Sequence, residues 1–174
     1  FYTQIRLVAA KRRDIHRQLG VWGFALAVLI IPLAYLTATH AIARGTHPPI
    51  IDAESWSVVP LMALPPMILM LIMGWRNRMD PQAHKRFMLL FTLMTVEPGV
   101  GRWPIFPPVM AGHIVGGLVA FAFVVPLILW DRKTIGGLHW ATKWGLGALI
   151  FGYFVRYPIW ALGFWPDVVR VLPY

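Results

Sequence analysis

Five stretches of this chain are apolar without the interruptions that a water-facing surface demands. Each approaches the roughly 20 residues an α-helix needs to cross a hydrocarbon core of about 30 Å. They predict helices at about 19–42, 58–75, 82–103, 108–130 and 140–165, the apolar part of the third beginning at Phe87. In lipid every backbone polar group must be satisfied within the chain, so the expected fold is all-α. The reading is one domain over 1–174, a polytopic transmembrane helix bundle of about five spans.

Composition excludes the soluble alternative. Hydrophobic residues make up 58% of the 174 and charged residues only 13%, about half of what a soluble domain carries. The net charge of +9 raises the question of nucleic acid, but the cations stand in short clusters between apolar stretches, where they face phospholipid headgroups, so no nucleic-acid partner is expected. The chain has no Cys, which rules out disulfides and thiolate metal ligation. Because the sequence begins at Phe1 without Met, the expectation is a processed or partial chain with an upstream segment missing from it, and Phe1 to Ala10 is too short to span alone.

Cation placement predicts the topology. Twelve of the sixteen Lys and Arg residues lie before the first helix (Arg6, Lys11, Arg12, Arg13, Arg17), between the second and third (Arg76, Arg78, Lys85, Arg86) or between the fourth and fifth (Arg132, Lys133, Lys143). The positive-inside bias then puts the N-terminus in the cytoplasm and the C-terminus outside. Trp22, Trp56, Trp75, Trp103, Trp130, Trp140 and Trp165 fall near predicted helix ends, as in an aromatic belt.

Local signals mark irregularities. Asp80-Pro81 reads as an N-cap followed by proline in the first turn, and Pro107-Pro108 opens the fourth helix in the same way. Pro65-Pro66 should bend the second helix, and Pro98 and Gly99 should interrupt the third. Gly112, Gly116 and Ala120 on the fourth helix and Ala148 and Gly152 on the fifth form small-residue stripes where helices approach closely.

Ionisable groups within the spans are the first candidates for chemistry, because charge in hydrocarbon is costly without a partner. Glu97 lies eleven residues beyond Arg86 and Arg156 thirteen beyond Lys143. Their depths from the cytoplasmic side agree within about 3 Å, which makes them ion-pair partners, with Arg102 as the competitor. The two readings are a clamp between helices three and five and a proton or anion site in the outer leaflet.

Histidines are the second group. His40 and His113 each lie eighteen residues outward from an inner-side landmark, Trp22 and Asp131, and so about 27 Å up. Gly116 and Gly117 share the face of His113 and would leave room for a macrocycle, making His113 and His40 candidate ligands of haem b, with Arg102 or Arg156 for its propionates. His16, His84 and His139 form a second candidate set at the cytoplasmic interface, a layout similar to that of diheme membrane cytochromes of the b561 type. No His pair at i, i+4 suggests a metal site, and no phosphate loop, nucleophile elbow or zinc-protease motif suggests a catalytic residue.

The segments Gln4-x-x-Leu7, Arg13-x-x-His16-Arg17-x-x-Gly20 and His84-Lys85-Arg86-x-Met88-Leu89-Leu90, followed by Arg102, resemble a group of small uncharacterised bacterial multi-helix integral membrane proteins. The resemblance covers more than half of the chain. It implies a multi-pass protein of the bacterial cytoplasmic (inner) membrane with a further apolar helix upstream, and no activity. The expected function is that of a non-catalytic accessory or structural subunit of a larger membrane complex, an energy-transducing one, contacting lipid, pigment or other membrane-protein subunits. A b-type cytochrome carrying electrons is the alternative, and a small transporter with broken helices a third.

Overall fold

The computed structural model describes residues 1–49, 51–101, 103–105 and 109–173, with backbone alone for residues 109–112. It is all-helical, with no strand among the described residues. A short α1 (Tyr2–Ala9) folds back on the long α2 (Arg13–Ala43). The turn between them places Lys11 at φ 59°. Next come α3 (Ala53–Trp56), α4 (Val58–Arg76), α5 (Pro81–Met94), α6 (Val96–Val100) and α7 (Val109–Ile135). The chain closes with α8 (Trp140–Ile150), a π-helical turn (Phe151–Val155), α9 (Arg156–Ala161) and α10 (Trp165–Arg170).

Three helical stretches are long and apolar enough to cross a membrane: Arg13–Ala43, Ala53–Arg76 and His113–Ile135. Their burial differs in a way that fixes the architecture. In the most apolar part of each, 56% of the α3–α4 stretch is buried inside the bundle, against 28% for α7 and 6% for α2. Helix α4 is therefore the central post, packed on α2, α5 and α8, while α2 and α7 present most of their apolar side chains outward. That exposure suits a lipid solvent.

The predicted third and fifth helices are not continuous. The third divides at Thr95: Pro98 has no N–H to donate to the Met94 carbonyl, and the Thr95 amide and hydroxyl both donate back to the Thr92 carbonyl (3.1 and 2.7 Å). The fifth passes through the π-helical turn, just ahead of Pro158, and ends at Ala161. In contrast, α4 runs unbroken through Pro65 and Pro66. Asp80 caps α5 by accepting from the Gln82 and Ala83 amides (2.9 and 3.2 Å). The predicted Pro107-Pro108 start and Arg102 lie outside the described residues.

Met70, Phe87, Leu90, Ala120, Ala141 and Leu149 centre one apolar cluster. A second, at the opposite end from the α4–α5 turn, joins Ile42, Val58, Leu61, Trp165 and Val169. There the Trp165 indole donates to the Ser57 hydroxyl (3.0 Å). The turn end gathers Arg76, Arg78, Lys85, Arg132, Lys133 and Lys143 beside the start of α2, and the other end carries Arg44 and Arg170.

Candidate functional site

Both helix interruptions serve one place. The break after Thr95 sets Glu97 on α6, and the π-helical turn sets Arg156 at the start of α9. An extra residue in a π turn rotates everything after it, and such turns often occur where a side chain must be re-aimed. The two side chains meet as a fork. Arg156 Nη2 donates to Glu97 Oε1 (2.7 Å) and Nη1 to Oε2 (3.1 Å). Glu97 is 4% exposed and Arg156 2%. A bidentate guanidinium–carboxylate pair is the strongest form of such a contact.

His113 of α7 closes the group, its Nδ1 lying 3.1 Å from Glu97 Oε1. Its ring packs edge-on to Trp56 of α3, with centroids 5.2 Å apart. The guanidinium of Arg156 sits over the rings of Tyr153 and Tyr157, 5.4 and 5.3 Å from their centroids, adding a cation–π contact. The Tyr153 hydroxyl and the Arg156 Nε are buried and make no hydrogen bond among the described residues.

The glycines expected to make room for a macrocycle do something else. A Cβ on Gly116 would lie 2.8 Å from Glu97 Cα, and one on Gly117 would lie 3.2 Å from the Tyr153 ring. The small face of α7 thus admits the α6 backbone and an aromatic side chain, and the space beside His113 is filled. His40 is exposed on α2.

A second buried charge cluster lies near the opposite end of the bundle, and sequence reasoning missed it by treating Asp131 as a flanking residue. Asp131 of α7 is fully buried. Its Oδ1 accepts from Arg86 of α5 through both Nε (3.1 Å) and Nη2. Its Oδ2 accepts from the Thr142 hydroxyl of α8 (2.5 Å) and the His139 amide (3.0 Å). Arg86 also donates to the Gln82 backbone carbonyl (2.7 Å) and side-chain oxygen (2.9 Å). One carboxylate therefore ties α5, α7 and α8 together. The signal for it was Asp131 directly after the apolar run ending at Trp130, at the same basic end of the bundle as Arg86 near the start of α5.

The three histidines of the second candidate set are each engaged locally. His84 Nδ1 lies 2.9 Å from the Gly74 carbonyl, joining α5 to α4. His139 Nδ1 accepts from the Ala141 amide (3.2 Å) and so caps α8. With its amide nitrogen turned toward acceptors, Gln4 donates to the His16 carbonyl (3.1 Å) and Nδ1 (2.5 Å) and accepts from the Gly20 amide (3.2 Å). The motif residues Gln4, His16 and Gly20 thus dock α1 on α2. His84, Arg86 and Met88, the last packed on Gly74, dock α5 on α4 and α7.

Fold and site together define a helical membrane protein with two buried charge clusters. Comparison with known protein families, with curated proteins and with solved structures finds no match. Among the described residues no group of three or more His, Cys, Asp or Glu is arranged to hold a metal ion.

Proposed function

We infer that this chain is a non-catalytic accessory subunit of a larger complex in a bacterial cytoplasmic membrane. In this reading it crosses the membrane five times, α5–α6 and α8–α9 forming the two interrupted spans, with its N-terminus in the cytoplasm. The observation that carries the reading is the engagement of the buried charges with one another. Glu97 uses both oxygens on Arg156 and His113, and Asp131 uses both on Arg86, Thr142 and the His139 amide. Charges paired this way hold helices in register, whereas a catalytic or transport site needs polar groups facing a substrate. The broad apolar exteriors of α2 and α7 then supply contact surface for lipid and for neighbouring subunits.

The test is gentle solubilisation of the tagged full chain, followed by native mass measurement and oxidised and reduced visible spectra. The reading predicts a particle holding a second polytopic protein in fixed stoichiometry, and a purified chain that absorbs only as Trp and Tyr. A Soret band that follows the isolated chain and disappears in His113→Ala would replace it with the haem reading.

A further inference from the structure

Along the seam between α2 and α4 lies an outward-facing groove of about 380 Å³, walled by Phe24, Val28 and Ile31 on one side and Ile68, Ile72 and Trp75 on the other. The Phe24 and Trp75 rings pack against each other at the end nearer Arg76, tilted by 35° with centroids 4.8 Å apart. The walls are apolar over eight positions of each helix, 24–31 and 68–75, about 10 Å of trough. Its mouth is not apolar. Arg76 lines it, Arg78 sits over the Trp75 ring at 4.9 Å, and Arg17, seven positions before Phe24, lies on the same face of α2 about 10 Å nearer the basic end.

None of these three guanidiniums forms an ion pair among the described residues. The nearby carboxylates are already engaged: Asp14 with Arg12, and Asp80 with the first amides of α5. An apolar trough that opens on exposed, unneutralised guanidinium groups beside a tryptophan complements one kind of membrane molecule. We propose that the α2–α4 groove is a binding site for an anionic phospholipid, with one acyl chain in the trough and the headgroup phosphate held by Arg76 and Arg78, supported by Arg17. The site requires only that the bundle sits in a bilayer; it does not depend on the subunit reading.

The test is titration of the detergent-solubilised full chain with phosphatidylglycerol or phosphatidylcholine of the same acyl chains, with bound lipid resolved by native mass spectrometry. Wild type should bind phosphatidylglycerol in preference. Arg76→Ala/Arg78→Ala should weaken that binding roughly tenfold or more, while Arg132→Ala/Lys133→Ala, which removes the same charge elsewhere on the same end, should preserve the preference. Ile72→Trp, which fills the trough and leaves every cation in place, should also weaken phosphatidylglycerol binding. Equal losses in the two charge variants, an unaffected Ile72→Trp protein, or displacement of the lipid by millimolar inorganic phosphate would each overturn the proposal.

Discussion

Glu97 and Arg156 are 59 positions apart in the chain and meet through two hydrogen bonds, each carried by a helix that departs from regular α geometry at that point. Breaking a buried pair by removing one partner strands the other charge and costs about 3–5 kcal/mol, whereas replacing both by apolar groups is often neutral. Glu97→Leu and Arg156→Met should therefore each destabilise the bundle by an amount of that order. The double variant should recover most of the loss, as read by denaturant or thermal unfolding in detergent.

Asp131 should be as sensitive. Asp131→Ala leaves Arg86 buried without its carboxylate and should cost about 3–5 kcal/mol. Thr142→Val removes one hydrogen bond to a charged acceptor and should cost about 1.5–3 kcal/mol. Measured by the same unfolding assay, Asp131→Ala should be the more damaging of the two; a Thr142→Val protein less stable than Asp131→Ala would contradict the account of Arg86 as a buried cation that Asp131 neutralises.

Close backbone approach at Gly116 makes a separate prediction. A methyl group there would meet the α6 backbone at Glu97, which cannot move aside as a flexible side chain could. Gly116→Ala should lower stability by about 1–3 kcal/mol as an overpacked contact. Gly147→Ala, whose Cβ meets nothing within 4 Å, should be nearly neutral and serves as the control.

The chain has no cysteine, so single-cysteine labelling in intact cells reads its topology on a clean background. With the N-terminus cytoplasmic, Arg170→Cys should react with an impermeant maleimide added outside, and Lys133→Cys only after the membrane is opened. The opposite pattern would invert the bundle.

The helical fold was legible because apolar runs of this length admit few other structures in lipid, and the start of α5 because capping is a local property of Asp80-Pro81. The Glu97–Arg156 meeting could be anticipated from depth alone, since helix rise converts residue count into height. Asp131 was not legible in that way. A carboxylate at the end of a span reads as interfacial, and only the packing of α8, which brings Thr142 and the His139 amide onto it, takes it out of water. The glycines beside His113 failed as a guide for a related reason: sequence shows that a helix face is small, and only the fold shows that α6 and Tyr153 fill it.

The central claim is that the buried charges hold the helices and do not react. The most direct measurement is whether a chain carrying Glu97→Leu and Arg156→Met together, verified as folded by its melting curve, still assembles with the partner subunit proposed for it and complements a strain lacking this protein. The account predicts assembly and restoration close to wild type. A folded double variant that assembles but behaves like the deletion would contradict it, and would make the Glu97, Arg156 and His113 cluster a working site.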